Sequence, residues 1–230
     1  MSIAEKLTTI ADNMQRVYEA GQMAGGGEDY LKYATEVNFN NLNLFGKEEV
    51  VLTLDNLTSL YNFNFVYSSG VKSPANTTVK HLTINCPNKI TNLNNAFARQ
   101  YLYDKYMQHL TLNVDTSEAV NANYAFSNLD AVKVIDGQPL NLSKVASCQN
   151  TIRGMAKLEE IRFVENSIPN TISFAFCPVL SNDSIQSIID GLGDLTGGTA
   201  KTVTFSATTG AKLTDEQKAT ITEKNWELVY

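Results

Sequence analysis

The chain has 230 residues, a hydrophobic content of 43% and a formal net charge of −6 at pH 7, with a pI near 5.0. The acidic balance argues against a nucleic-acid-binding protein, which would carry basic residues to neutralise phosphates. No run of about 20 apolar residues occurs, so no membrane insertion is expected, and the polar N-terminus does not resemble a secretory signal peptide.

The first predicted element is a helix over residues 1–23 with a heptad pattern of apolar residues. β-branched residues at the d positions favour three or four helices over two in a coiled coil. The pattern is short, so the helix either joins copies of the chain, with a trimer favoured, or caps its own repeat domain. The seam consists of Ile3, Leu7, Ile10, Met14 and Val17.

Residues 24–49 are predicted to form a glycine joint followed by transition strands. The stretch "AGGGED" breaks the helix and supplies flexibility. The alternating stretches "EVNFN" and "LNLF" then indicate short strands.

A repeated apolar pattern begins near residue 50. The stretches "FSNLDAVKV" (126–134) and "MAKLEEIRF" (155–163) place their apolar residues at the same steps, and "VKHLTI" and "MQHLTL" carry shorter copies. These steps of three, three and two fit neither a helix nor a strand alone. Self-similarity at a fixed period of a few tens of residues is typical of a solenoid that stacks one strand per coil. We therefore predict an α+β fold, in which residues 50–180 form a leucine-rich-repeat-like solenoid of short stacked strands.

Each copy ends in two alternating apolar residues that are predicted to point into one core. These residues are Leu82, Ile84, Leu110, Leu112, Val132, Val134, Ile161 and Phe163. The stretches "NNAF", "NYAF" and "SFAF" precede the turns and end at Phe97, Phe126 and Phe176. Residues between the inward pairs should face solvent as one column, which is either a binding surface or an ordinary solvated face. This predicted column consists of Thr83, Thr111, Lys133, Arg162 and Thr204.

One copy carries an insertion, "ARQYLYDKY", between Phe97 and Met107. Insertions in repeat proteins often lie on the binding face, and tyrosines suit recognition because they offer rigid contact area. Alternatively, the tyrosines cover an exposed edge of the core. The candidate binding residues here are Arg99, Tyr101, Tyr103 and Tyr106.

The three cysteines form no C-x-x-C pair, which suggests reduced thiols of a protein made in a cytoplasm. Cys148 and Cys177 are separated by the repeat spacing and are interpreted as small core residues rather than a catalytic thiol. The many asparagines are interpreted as corner residues that bond the backbone, rather than as a polar ligand pocket.

His81 and His109 occupy equivalent repeat positions and are expected to stack on one face. No carboxylate or cysteine is predicted at ligand spacing beside them, so a surface ladder is favoured over a metal site. Asp115, Glu118, Asp130 and Asp136 are assigned to corners, and no facing pair of carboxylates suits glycan hydrolysis. No catalytic residue, metal or cofactor is predicted.

Residues 181–230 are predicted to form a capping unit for the open end of the solenoid. Its first helix lies in "SNDSIQSIIDGLGDL", with Asp183 and Gln186 at capping-box spacing. A strand in "KTVTFSA" follows. The next predicted element is a helix whose start is marked by a second capping-box pair, Thr214 and Gln217, and the last is a closing strand in "WELVY".

The repeat pattern with its "NNAF" and "NYAF" stretches resembles BspA-like leucine-rich repeats, found in bacterial surface proteins and in phages and prophages of Gram-positive gut bacteria. Both ends, "IAEKLTTIADNMQRVYEAG" and the segment from "SIQSIIDGLGDL" to "EKNWELVY", are similar to short phage proteins of this type. The resemblance departs at "AGGGEDYLKYATEV", where many relatives continue into an aromatic-rich linker.

The resemblance implies a non-catalytic, tail-associated virion protein, structural or receptor-binding, made in the cytoplasm of a bacterial host. Its expected partners are further copies of itself, other virion proteins and a host cell-surface glycan or protein. The alternative is a purely structural spacer or decoration protein of the virion, and a glycan-degrading enzyme is the third reading. The resemblance supplies no catalytic residues.

Overall fold

The computed structural model describes residues 48–60, 79–98 and 107–230. Predictions for the helix over residues 1–23, for residues 24–47 and for the insertion therefore lie outside the described residues. They concern the seam residues Ile3, Leu7, Ile10, Met14 and Val17 and the insertion residues Arg99, Tyr101, Tyr103 and Tyr106.

The described residues form three parallel sheets and three helices. The sheet orders are β1-β2-β3-β5, β4-β6 and β7-β8-β9, and every strand pair is parallel. Parallel neighbours require the chain to cross back between strands. Where such a connection lies wholly within the described residues, turns or helices make this crossing. The elements are β1 (Glu49–Thr53), β2 (His81–Lys89), β3 (His109–Asp115), β4 (Phe126–Ser127), β5 (Val134–Gly137), β6 (Ile152–Arg153), β7 (Ile172–Phe174), α1 (Asn182–Gly191), β8 (Lys201–Phe205), α2 (Ala207–Gly210), α3 (Asp215–Glu223) and β9 (Trp226–Val229).

The same backbone hydrogen bonds recur where the strands of the first sheet begin. The carbonyl oxygen of Glu48 accepts the amides of Lys80 and His81, with N···O distances of 2.7 and 3.0 Å. Successive chain segments therefore meet at one corner with the same geometry. The next carbonyls that each accept two amides in this way belong to Lys80, Gln108 and Lys133.

The core is one hydrophobic cluster that extends from β1 to β9. Residues alternate between buried and exposed along β1, and β2 and β3 alternate between buried and half-buried residues over most of their length. Of the eight side chains predicted to point inward, all except Val134 are buried in this cluster. Val134 is half-buried, and Ile135 takes the inward position opposite Leu110.

The Val134 prediction was wrong because the two repeated stretches were aligned three residues out of register. Val134 forms a bridge with Glu160, whereas the apolar pattern aligned it with Phe163. The pairing of Phe126 with Ile152 shows the same offset between the two segments. Because both stretches carry apolar residues at steps of three, an alignment shifted by three residues matches as many apolar positions as the correct one.

The phenylalanines that end the repeated stretches do not share one environment. Phe97 and Phe126 are buried, and their rings stack with centroids 5.5 Å apart. Phe176 is instead 61% exposed, which corrects the expectation that it matches them. Phe174 is buried in its place and stacks on Phe205 at 5.9 Å.

Asparagine side chains bond the backbone at the corners, as the composition indicated. The Oδ1 atoms of Asn92, Asn121 and Asn141 each accept the amide two positions further on, at 2.9 to 3.0 Å. Asn88 and Asn170 reach further and donate to carbonyls of the preceding segment. Such bonds satisfy peptide groups that have no helix or ladder partner.

The C-terminal unit contains the predicted helices and strands, with one change of cap. Ser181, and not Asp183, caps α1, because its hydroxyl accepts the amide of Ser184 at 3.2 Å. The capping box of Thr214 and Gln217 at α3 is confirmed. Lys224 follows α3 and donates to the carbonyls at the C-terminal end of α1, including that of Leu192 at 2.7 Å.

Serine side chains of α1 connect this unit to the segment before it. The hydroxyl of Ser184 accepts the amide of Ile161 and donates to the carbonyl of Glu159, both at 3.0 Å. The hydroxyl of Ser187 accepts the amide of Phe163, also at 3.0 Å. The helix thus supplies partners that a further strand would otherwise provide. Within the described ranges, no helix is long and apolar enough to cross a membrane.

Replacement of Leu110 by alanine should lower the free energy of unfolding by about 2–5 kcal/mol, because it leaves a cavity beside β2 and β5. Leu110 is fully buried. Denaturant unfolding followed by circular dichroism would measure the change. Val51→Ala on the exposed face of β1 is the control and should change stability by less than about 0.5 kcal/mol.

Two buried threonines should respond differently when replaced by valine. Thr209 donates to the carbonyl of Cys177 at 2.8 Å, whereas Thr151 Oγ1 has no hydrogen-bond partner among the described residues. Thr209→Val should cost about 1–3 kcal/mol, because it leaves a buried carbonyl underbonded. Thr151→Val should be neutral or stabilising, since it removes a buried hydroxyl without a partner. Equal losses in thermal unfolding of the two variants would contradict this account.

Candidate functional site

The outward residues of β1, β2, β3 and β5 form a largely polar surface, called here the outer sheet face. Because the strands are parallel and in register, chemically similar side chains lie beside one another on neighbouring strands. His81 pairs with His109, Thr83 with Thr111 and Asn85 with Asn113. The full set is Glu49, Val51, Thr53, His81, Thr83, Asn85, His109, Thr111, Asn113, Val134 and Asp136.

The two histidines stack, as their equivalent repeat positions predicted. The centroids of the His81 and His109 rings are 4.1 Å apart, and the ring planes are inclined by 11°. The asparagine pair further along the same strands is joined as well, since Asn113 Nδ2 donates to Asn85 Oδ1 at 2.7 Å. The register of the sheet therefore creates these contacts directly.

Asp136 lies at the centre of a hydrogen-bonded group that also contains His81, His109, Thr83 and Thr111, named here the His-Thr-Asp cluster. Its Oδ2 accepts His109 Nε2 at 2.8 Å, and its Oδ1 accepts the Thr111 hydroxyl at 2.7 Å. The Thr111 oxygen lies 2.9 Å from His81 Nε2, and the Thr83 oxygen lies 3.5 Å from the same nitrogen. One carboxylate thus connects side chains from three strands.

The assignment of Asp136 to a corner was wrong, and a carboxylate does lie beside the histidines as a hydrogen-bond partner. Asp136 lies within β5 and pairs with Thr111, because Ile135 occupies the inward position. The sequence signal was the pair Asp136-Gly137. Gly137 has a φ of +91°, and a Cβ there would lie 2.4 Å from the Leu112 carbonyl oxygen. The glycine permits this close approach, so it marks the position where β5 meets β3.

Hydrogen bonding maintains the charge of Asp136. Partial burial opposes ionisation, but hydrogen bonds from Thr111 and His109, with the charges of His109 and His81, outweigh that effect and lower the pKa of Asp136. The carboxylate is therefore ionised over the physiological pH range. Its side chain remains 43% exposed, which leaves it accessible to a ligand.

The structure unites only part of the predicted column of binding residues. Thr83 and Thr111 are register neighbours, but their next partner is Asp136, so Lys133 does not belong to this row. Lys133 is exposed and precedes β5, where its carbonyl accepts two amides. The remaining members lie elsewhere, with Arg162 exposed after Ile161 and Thr204 in the separate sheet β7-β8-β9.

The cluster is arranged for hydrogen bonding. The stacked imidazole rings direct their nitrogen lone pairs side by side, so in this geometry the two rings do not converge on one ion. Within the described parts of the chain, no group of three or more His, Cys, Asp or Glu residues is placed to hold a metal ion. The Thr111 hydroxyl donates to Asp136 rather than to an imidazole, unlike an activated nucleophile and its base.

The cysteines are core residues, as their spacing indicated for Cys148 and Cys177. All three are buried and free. Burial raises the pKa of Cys148 and of Cys177 to about 12 and also raises that of Cys86. Their thiols thus remain protonated, which makes them poor nucleophiles.

Comparisons with protein-family models, curated proteins and solved structures give no match for this chain.

Replacement of Asp136 by asparagine should reduce stability in a pH-dependent manner. Because folding lowers the pKa of Asp136, the ionised group stabilises the fold above its unfolded-state pKa of about 4. The wild type should therefore be more stable than Asp136→Asn at pH 7, and this difference should shrink as the pH falls from about 5 to below 4.

Urea unfolding of both proteins between pH 3 and 7 would measure the difference. Glu49→Gln is a suitable control, because it removes the same charge from an exposed position on β1 of the same face. A difference for Asp136→Asn that stays constant across this pH range would contradict the ionic role of Asp136.

Proposed function

We propose that this protein is a non-catalytic, tail-associated component of a phage or prophage particle that binds the surface of a host bacterium. The outer sheet face is the observation that carries this proposal. It pairs histidine, threonine and asparagine side chains between β2 and β3 and places Asp136 of β5 beside Thr111. The sequence resemblance to BspA-like phage proteins gives the expected location, the virion tail, after synthesis in the bacterial cytoplasm.

The proposal includes a leucine-rich-repeat-like solenoid over residues 50–180, capped by residues 181–230. It is supported by the carbonyls that accept two amides at successive corners, from Glu48 to Lys133. It is also supported by the single hydrophobic cluster and by the serine contacts of α1 with the preceding segment. In such an array each added coil extends both the core and the outer face.

A rigid sheet is a suitable support for recognition. Side chains fixed by neighbouring strands lose little conformational entropy when a ligand binds. Thr111 and Asp136 are held in this way by mutual hydrogen bonding, and Asn85 and Asn113 by theirs. Rows of similar groups suit a repetitive target such as a bacterial surface polymer. A purely structural spacer would have no need for this organisation, although its fold would be the same.

We further propose that the N-terminal helix joins three copies of the chain. The heptad seam over residues 1–23 supports this arrangement, as does the adjacent glycine joint, which would allow the repeat domains to move independently. Three weak sites on one stalk can raise the overall affinity by a factor on the order of 10²–10⁴ without new contacts. Other virion proteins would bind the stalk or the capping unit.

Fluorescently labelled protein should bind to cells of its host among a panel of Gram-positive gut bacteria. Flow cytometry would measure binding, and antibody labelling of induced prophage particles in electron micrographs would test the tail location. Pretreatment of cells with protease or periodate would separate protein from glycan receptors. Labelled tails together with no binding to any strain would support the spacer function instead.

The Ile10→Asp substitution should convert a trimer into monomers, because it places a charge in the predicted apolar seam. Analytical ultracentrifugation at micromolar concentration would measure the mass of each protein. Lys6→Asp, which lies outside the seam, is the control and should leave the trimer intact. A monomeric wild type, or a trimeric Ile10→Asp variant, would favour the interpretation of this helix as an end cap.

A further inference from the structure

The proton positions in the His-Thr-Asp cluster can be assigned from its hydrogen bonds. An ionised carboxylate only accepts, so Asp136 receives its hydrogens from the Thr111 hydroxyl and from His109 Nε2. The Thr111 oxygen has given its hydrogen to Asp136 and must accept from His81 Nε2 at 2.9 Å. Both imidazoles therefore carry hydrogen on Nε2, and in each neutral ring Nδ1 is an acceptor.

This assignment leaves the cluster rich in acceptors. The donor hydrogens of His81, His109 and Thr111 are used within the cluster. Each carboxylate oxygen of Asp136 retains lone-pair capacity, and the two Nδ1 atoms add further acceptors. The Thr83 hydroxyl can only accept from His81 Nε2, so its own hydrogen is not used within the cluster. A complementary ligand therefore brings mainly hydrogen-bond donors, with an acceptor for Thr83, and no negative charge.

We infer that the His-Thr-Asp cluster is a binding site for a neutral, hydroxyl-rich glycan, with Asp136 as its central acceptor. This inference rests on the proposed function and names the class of receptor. The acceptors belong to three neighbouring strands, which lie about 4.8 Å apart. That spread suits several hydroxyls of a sugar ring better than the single point charge of an ammonium group.

The charges around the cluster agree with a neutral ligand. Asp136 is ionised, and Glu49 lies beside His81 on β1. The nearest lysine in sequence, Lys80, is paired with Glu48 at 2.7 Å. The chain as a whole also carries a net charge of −6, which disfavours acidic polysaccharides. A carboxylate already held by two donors can bind sugar hydroxyls without first being ordered.

The chain contains only two histidines, and both belong to this cluster, so their ring signals in a nitrogen-15 NMR spectrum can be assigned without ambiguity. At pH 8, both rings should show the Nε2–H tautomer. The Nδ1–H tautomer at either ring would overturn the proton assignment and with it the inferred site.

Binding itself should be measured with the full-length protein on a microarray of neutral and acidic bacterial polysaccharides, with polylysine as an amine-rich comparison. Neutral polysaccharides should be retained, and acidic ones should bind at least tenfold more weakly. Retention on polylysine alone, or on acidic polysaccharides alone, would overturn the inference. The bound glycan should also shift the ring signals of His81 and His109.

Asp136→Asn should weaken binding to the retained polysaccharide at least tenfold, whereas Glu227→Gln, which removes one charge from an exposed position of β9 in a different sheet, should change it less than twofold. His81→Gln is a second test variant should Asp136→Asn be unstable, and its binding should fall as well. Host-cell binding that survives both cluster variants would reject this site and leave the proposed host-surface function standing. If the wild-type protein itself does not bind host cells, the proposed host-surface function is rejected.

Discussion

The structure depends on one repeated interaction, in which the backbone of each chain segment bonds the backbone of the segment before it. The clearest case is the corner before β2, β3, β5 and Ile161, where one carbonyl accepts two amides from the next segment. This bond fixes which residue follows the corner and therefore which side chain points inward. Leu82, Leu110, Ile135 and Ile161 each come directly after such a pair of amides, and all four are buried. The core is thus a consequence of the corner geometry.

The same register produces the candidate site. Parallel strands aligned at a common corner place equivalent positions beside each other, so a histidine repeated in the sequence becomes a stacked pair in space. The row of threonines on the outer sheet face ends at Asp136. Asp136 is an anion, so it can accept charge-assisted hydrogen bonds that a third threonine could not. Where the strand array stops, the hydroxyls of Ser184 and Ser187 take over as acceptors. Polar side chains therefore have two roles: they form the outer sheet face, and they accept backbone amides where no further strand follows.

Much of this arrangement could be predicted from the sequence, because the apolar spacing and the helix caps are local signals. Seven of the eight inward residues, the stacked histidines, the Thr214 capping box and the corner asparagines follow from short patterns. The register of β5 did not follow, since apolar residues at steps of three fit two alignments, and only the double hydrogen bond to Gln108 distinguishes them. That single ambiguity hid Asp136. The exposure of Phe176 was missed for a related reason, because a matching "AF" pair carries no information on the direction of the chain that follows.

Asp136 is a departure from the repeated threonines, and it carries the proposed function, whereas the repeated inward residues form the core. A residue at this outward position contributes nothing to the core, so the fold would accept threonine there as it does at Thr83 and Thr111. An aspartate adds a desolvation cost that opposes its ionisation, and the cluster offsets this cost with bonds from two neighbouring side chains. Those bonds also use the donor hydrogens of His109 and Thr111, so this part of the surface has fewer free donors than the repeated side chains alone would give it. The proposed ligand preference of the His-Thr-Asp cluster therefore depends on one non-repeating residue, whose position is fixed by the register of the repeating ones.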